Sequence, residues 1–305
     1  MSLIAMFTSA GPTGFGYGST AEQVTEGLSL AGKTILVTGC NSGLGQEACR
    51  VLALRGALVL GTARTREKAA AACATLPGRA IGHACDLSDP SSVRACVAAV
   101  RAAGHRLDAI IGNAGIMMLP TLEQAHGYEL QFFTNHIGHF LLVTGLLEQL
   151  GDEGRVVMLS SEGHRQAPAG GIEFDNLSGD RGYEPLKAYG QSKLANRLFA
   201  RELQRRFAGT SKTAYAVHPG VVSTNLARNL GPVSRRVLSA IGPLVLKSVG
   251  EGAATEVFAA VHPKALPLAG GYLVDSNAAT PRADAADAAL AARLWAESER
   301  IVETL

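Results

Sequence analysis

Aromatic residues make up only 5% of the 305-residue chain, and Trp295 is the single tryptophan. Charged residues are also sparse, at 18%, and nearly cancel to a formal net charge of +2. No block of Lys and Arg stands out. Binding to nucleic acid or to an anionic membrane surface needs a concentrated positive field, so neither partner is expected. No apolar run approaches the roughly 20 residues of a membrane-spanning helix, so no membrane span is expected. The short apolar start at 1–7 has no basic flank and does not read as a secretory signal.

The five cysteines, Cys40, Cys49, Cys73, Cys85 and Cys96, form no Cys-x-x-Cys and lie at no metal-ligand spacing from a histidine. No metal site is expected, and unpaired thiols in a reducing cytoplasm are the simplest reading. Gly-x-Ser-x-Gly is missing, which removes the usual nucleophile turn of α/β hydrolases. Gly-Lys-Ser/Thr is missing too, which removes a triphosphate-binding P-loop.

What the chain does have is abundant Gly and Ala and short β-branched runs alternating with helical periodicity. That alternation predicts an α/β fold: a single doubly wound parallel sheet of the Rossmann type, with helices on both faces. Residues 1–30 are rich in Gly, Ser and Thr and read as a flexible amino-terminal arm. Residues 31–305 read as one domain, with a mixed apolar flap at about 225–249.

Residues 33–38 form the first expected strand, followed at once by Gly39-Cys40-Asn41-Ser42-Gly43-Leu44-Gly45 and then a helical pattern. Strand, glycine turn, helix is the arrangement that brings a backbone close to a pyrophosphate and offers it the free N–H groups of a helix start. Residues 57–63 form the second strand, and Arg64 stands at its end. A basic residue there suits the 2′-phosphate of NADP, where an acidic one would suit the ribose hydroxyl of NAD. Arg64 is equally a plain surface residue at a helix start; NADP is favoured and NAD is the weaker candidate. Strand 79–85 ends at Asp86-Leu87. Asp86 could accept from an adenine amino group or cap the next helix, although Asp89 before Pro90 fits the cap better.

A fourth strand at 107–111 runs into Gly112-Asn113-Ala114-Gly115, small residues against which a flat ligand could lie. A single long helix is expected over about 122–150, holding Asn135 followed by His136 and His139, which read as packing or surface residues. Strand 155–159 ends in Ser160-Ser161, and strand 213–217 ends in His218-Pro219-Gly220. Between them, Tyr189 and Lys193 sit four residues apart on an expected helix, hence on one face. A phenol beside an ammonium suits proton exchange with an alcohol or ketone, because the positive charge favours the phenolate.

Together these pieces resemble the short-chain dehydrogenase/reductase family over roughly residues 30–275. The matching residues are Thr38-Gly39-x-x-x-Gly43-x-Gly45, Asn113-Ala114-Gly115, Asn135, Ser161, Tyr189-x-x-x-Lys193, and Pro219-Gly220 with Thr224. Cys40 stands where Ala is common in the family. Asn135-His136-Ile137-Gly138-His139-Phe140, Ser160-Ser161 with His164, and His218-Pro219-Gly220-Val221-Val222 look most like the retinol dehydrogenase and WW-domain oxidoreductase group.

The resemblance implies an oxidoreductase using NADP or, less readily, NAD. Gly39, Asn41, Ser42, Gly43, Leu44, Gly45, Arg64, Asp86, Leu87, Asn113, Ala114 and Gly115 would hold the adenosine and phosphate half. Tyr189, Lys193, Pro219, Gly220, Val222 and Thr224 would hold the nicotinamide half. Ser161 would orient the substrate oxygen, Tyr189 would exchange its proton, Lys193 would lower the phenol's pKa, and Asn135 would bind a water linking Lys193 to solvent. Met117–Leu119, the 163–185 loop and the flap would wall a lipophilic carbonyl or secondary alcohol. Reduction of a conjugated C=C bond and a non-catalytic NADP-binding sensor are the alternatives. Either a monomer or a homodimer is compatible with the sequence.

Overall fold

The computed structural model describes residues 8–222 and 246–305. Strand β1 (Thr34–Thr38) is buried at every position, as its aliphatic and β-branched sequence requires of a strand covered on both faces. Helix α1 (Gly43–Leu54), β2 (Leu58–Ala63), α2 (Arg66–Cys73), β3 (Ala80–Ala84), α3 (Pro90–Ala102) and β4 (Leu107–Gly112) follow in strict alternation. Helix α3 starts where expected: the Asp89 carboxylate accepts from the Ser91 amide, and Pro90 occupies the first turn.

The 122–150 segment differs from the single helix expected there. It opens with a hairpin, β5 (Gln124–Ala125) and β6 (Tyr128–Glu129), turned by His126 and Gly127 at φ of 53° and 82°. A helical run then passes through α4 (Leu130–Phe132), a π-helical turn (Phe133–Ile137) and α5 (Gly138–Gly145). The Gly127 turn and the widened π turn both break the period that a uniform helix would need.

Strand β7 (Leu150–Leu159), α6 (Pro185–Arg206), β8 (Thr213–His218), α7 (Val249–Val261), β9 (Tyr272–Val274), β10 (Asn277–Ala279) and α8 (Ala288–Glu303) complete the described elements. The sheet order is β10-β9-β8-β7-β4-β1-β2-β3. Within this eight-stranded sheet only the β9–β10 pair is antiparallel. Winding reverses between β1 and β4, so the crevice beyond their carboxyl ends is the expected ligand position of such a sheet. One apolar layer joins the sheet to α1, α2 and α7; another joins it to α3, α5, α6 and α8. The doubly wound Rossmann-type fold expected from the sequence is therefore the one present.

The arm expected to be flexible is docked over the residues described. The Phe15 ring lies edge-on to Phe258, with centroids 5.7 Å apart, and Ala21 and Val24 are buried. Thr13 donates its amide to Asn277 Oδ1 at 3.1 Å. The apolar outer face of α7 needs covering, and Phe15, Ala21 and Val24 supply the cover.

Candidate active site

The glycine turn hangs from the end of β1. Gly39 and Gly43 take φ of 76° and 57°, a region open mainly to glycine. Gly45 has no room for a side chain: an added Cβ would fall 2.3 Å from Gly39 O and 2.4 Å from Asn113 Nδ2. Asn113 Nδ2 donates to Thr38 O at 2.7 Å, and the Ala114 amide donates to Thr38 Oγ1 at 2.9 Å. These bonds strap the end of β4 to the end of β1. Asn41 and Ser42 are exposed on the turn, and Leu44 is buried beneath it. Ser42 precedes α1 with an extended backbone and no side-chain cap, so the first-turn N–H groups face outward.

Arg64 is exposed one residue beyond β2, and Thr65 caps α2 by accepting from the Lys68 amide. Asp86 Oδ1 accepts from both the amide and the hydroxyl of Ser88, so a local turn holds this carboxylate. Leu87 is buried, its carbonyl so close to Gly138 that a Cβ there would lie 2.2 Å away.

Tyr189, Lys193 and Ser161 come together at the carboxyl ends of β4 and β7. Tyr189 and Lys193 are both buried, on one face of α6. The Lys193 Nζ stands 5.7 Å from the Tyr189 ring centroid and donates to Leu159 O at 3.1 Å. It also lies 3.4 Å from where a Gly115 Cβ would be. Gly163 clears the space for the Tyr189 ring, since a Cβ there would sit 2.8 Å from Tyr189 Cε1. The Ser161 hydroxyl accepts from the Gly163 amide at 3.0 Å and lies 3.4 Å from the same Gly163 Cβ position.

The charges differ from the sequence expectation. Burial pushes the Tyr189 phenol above its ordinary range, and the Ser161 hydrogen bond opposes it only in part. Burial pushes Lys193 down to about 8, with the Glu256 carboxyl pulling the other way. Desolvation thus outweighs the lowering of Tyr189 expected from Lys193.

Asn135 sits fully buried in the π-helical turn. Its Oδ1 accepts from the Ile116 amide at 2.8 Å; its Nδ2 donates to Ile116 O and to Ser192 Oγ, each at 2.9 Å. The side chain is a strut between the 113–116 turn and α6. His139, expected to be a packing or surface residue, is fully buried and joins Asn135 O to Thr38 Oγ1 at 2.9 Å each.

Beyond β8, Gly220 takes φ of 83°. Val222 packs on α7, where a Cβ at Gly252 would come within 2.6 Å of it. Thr224 and flap residues 225–245 lie outside the described residues. Lys247 is buried beneath Gly220, whose Cβ would lie 2.7 Å from Lys247 Cδ, and pairs with Asp275 at 2.5 Å.

Three positioning residues carried no sequence signal of their role. Lys247 is one. His164, fully buried, hydrogen-bonds Ser161 O through Nδ1 at 2.6 Å and accepts the Arg282 amide through Nε2. Ser192 completes the Asn135 strut. Only its place between Tyr189 and Lys193 could have marked it.

A family model described as short chain dehydrogenase matches residues 33–234. The short-chain dehydrogenase TIC 32 A, chloroplastic, of Brassica napus is 39% identical over the full length of both chains. Retinol dehydrogenase 12 of Mus musculus is 39% identical over 89% of this chain and 86% of its own. Among solved structures, an uncharacterised protein from Mycobacterium paratuberculosis superposes with a TM-score of 0.75 at 35% identity, covering 92% of this chain and 97% of its own. A short chain dehydrogenase from Burkholderia cenocepacia, in complex with NADP, gives a TM-score of 0.65 at 26% identity over 80% and 96%. The glycine turn on β1, the Ser161, Tyr189 and Lys193 cluster on β7 and α6, and these relatives agree: the chain belongs to the short-chain dehydrogenase/reductase family, close to the retinol dehydrogenases, and is an NAD(P)-dependent oxidoreductase of CH–OH and C=O groups.

Proposed function

We propose that this chain uses NADP to pass a hydride between the nicotinamide and a lipophilic carbonyl or secondary alcohol. One observation carries the reading: the Tyr189 ring and the Ser161 hydroxyl both border the Gly163 Cβ position, at 2.8 and 3.4 Å, with the Lys193 ammonium on the same helix face as Tyr189. The cofactor fits the residues present. Gly45 leaves a bare backbone surface, the start of α1 offers unclaimed N–H donors, and Arg64 and Arg66 are exposed where the 2′-phosphate would fall. When bound, NADP(H) supplies or accepts the hydride.

Ser161 holds the substrate oxygen in hydrogen bond. In reduction the Tyr189 hydroxyl gives its proton to that oxygen; in oxidation the phenolate takes the alcohol proton. Lys193 would hold the ribose hydroxyls while one of its protons stays on Leu159 O. The Lys247–Asp275 pair holds up the Gly220 turn, which with Pro219 and Val222, and Thr224 by the family resemblance, would hold the carboxamide. The 163–185 loop would wall the substrate.

Two features support the finer points. The relatives named retinol dehydrogenases suggest a lipophilic substrate, and the Burkholderia complex with NADP agrees with the basic Arg64. Five unpaired, buried cysteines suit a reducing compartment, and the cytoplasm is the proposed location. No helix among the described residues is long and apolar enough to cross a membrane.

The test is a spectrophotometric NADPH-oxidation screen over lipophilic aldehydes and ketones, retinal included, with products identified by mass spectrometry. The expected product is the alcohol. A product that has lost a C=C bond, or bound NADPH with no turnover of any carbonyl, overturns the proposal.

A further inference from the structure

Gly61 in β2 faces two sulfurs at once. A Cβ added there would lie 2.9 Å from Cys73 Sγ and 3.0 Å from Cys40 Sγ. The two thiols share the space that glycine leaves. Both are nearly closed to solvent, at 1% and 6% exposure. Neither takes part in the hydride transfer proposed above.

Their positions in the chain matter more than their chemistry alone. Cys40 is the second residue of the glycine turn, and its amide and that of Gly39 both hang on Thr62 O at 2.9 Å. Cys73 closes α2, the helix that begins just after Arg64. The pair therefore bridges the part of the site that would hold the pyrophosphate and the element that carries the 2′-phosphate residue. From this juxtaposition we propose that Cys40 and Cys73 form an oxidative modification site: a peroxide joins them in a disulfide that weakens NADPH binding. The effect on binding rests on the cofactor reading; the disulfide itself does not.

The chemistry balances. The neighbouring Cys40 thiol draws the Cys73 thiol below its ordinary range against the effect of burial, which makes Cys73 the attacking sulfur of the pair. Its thiolate attacks the peroxide O–O bond, forming a sulfenic acid and releasing hydroxide. The Cys40 sulfur then displaces the sulfenic oxygen, which leaves as water with the Cys40 proton. In sum two thiols and one hydrogen peroxide give one disulfide and two waters. A disulfide draws the sulfurs to about 2 Å, closer than any thiol contact, so the turn or the end of α2 must shift by something on the order of an ångström. A misplacement of that size in a site built from close backbone contacts costs roughly tenfold or more in function.

The test treats the full-length wild type, Cys73→Ser, Cys73→Ala and Cys96→Ser with hydrogen peroxide, then maps disulfides by peptide mass and measures NADPH affinity by nicotinamide fluorescence. Cys85 and Cys96 are also a thiol pair in contact, so Cys96→Ser separates the two pairs. The expected result is a Cys40–Cys73 linked peptide in wild type and Cys96→Ser. NADPH affinity should fall by about tenfold or more in both and recover with dithiothreitol. Both Cys73 variants should keep their affinity after peroxide. Four results overturn the proposal: no Cys40–Cys73 link, a link from Cys73 to the neighbouring Cys49 instead, a link with unchanged affinity, or equal loss of affinity in the Cys73 variants. A reduced protein that forms the link yet binds no NADPH overturns the cofactor reading, and the effect on binding with it, and the mapped peptide shows which part failed.

Discussion

Lys193 and Leu159 are tied to each other across the top of the sheet: the ammonium donates to the Leu159 carbonyl at 3.1 Å. One residue on, the Ser160 hydroxyl donates to the Lys193 carbonyl at 2.8 Å. This reciprocal tie fixes α6 against the end of β7, so Tyr189 and Ser161, on opposite sides of it, keep a constant separation. The buried ammonium thereby has a structural part beside its proposed catalytic one, and no counter-ion touches it among the described residues.

Replacing Tyr189 by Phe removes the proton donor and leaves the ring in its Gly163-lined space. Turnover is expected to fall by about 10²–10⁴-fold, while NADPH affinity changes little. Because burial holds the phenol protonated past its ordinary range, wild-type reduction should fall first as pH rises through about 8, where Lys193 loses its charge, and not through ionisation of Tyr189. Stopped-flow turnover in both directions decides it; a Phe variant with near-normal turnover would refute the assignment.

Arg64 is exposed at the end of β2 with Arg66 and Lys68 on the following helix turn. Arg64→Asp is expected to lower kcat/KM for NADPH by about 1–3 kcal/mol of binding while leaving that for NADH equal or better. Steady-state kinetics with both cofactors measures it. Equal efficiency of wild type with NADPH and NADH would count against the assignment before any variant is made.

The site was legible in the sequence where its parts are local. Strand, glycines and helix start lie within about twenty residues, and Tyr189 and Lys193 share one helix face. What escaped the sequence depends on contacts between distant residues. The docking of Phe15 on Phe258 and the prop of Lys247 under Gly220 are examples. The hairpin at 124–129 escaped for another reason. His126-Gly127 takes left-handed conformations that only the glycine advertises, and the apolar residues around it still mimic a helical period. The net effect of Lys193 on Tyr189 was misjudged because burial, which opposes it, cannot be read from spacing.

Gly45 tests the closeness of the glycine turn. Gly45→Ala would place a methyl against the Gly39 backbone carbonyl and against Asn113 Nδ2, a side-chain tip held by its hydrogen bond to Thr38 O. The turn must open, with an expected loss of about 1–3 kcal/mol in stability and a larger loss of NADPH affinity. Gly170→Ala is the control, since its Cβ would meet nothing within 4 Å. Urea denaturation and NADPH titration of both variants check this; a Gly45→Ala protein that binds NADPH normally would show the turn to be looser than its geometry.

Glu256 offers a test of the cost of buried charge. It is fully buried in α7 among apolar residues, and neither carboxylate oxygen has a hydrogen-bond partner. Burial raises it to about 8, with Lys193 pulling it down. The other titratable group facing it is Cys49 on α1, whose thiol Glu256 pushes up. Between about 4.5 and 8 the folded chain keeps a proton that the unfolded chain releases, so Glu256 costs stability increasingly as pH rises through that window. Glu256→Met keeps the volume and removes the charge. Its stability gain should therefore be small at pH 5 and about 2 kcal/mol larger at pH 8, even though the loss of attraction to Lys193 offsets part of it. Urea denaturation at the two pH values measures the difference. A gain that is the same at both, or a loss at pH 8, would mean that Glu256 is ionised and compensated in the folded protein.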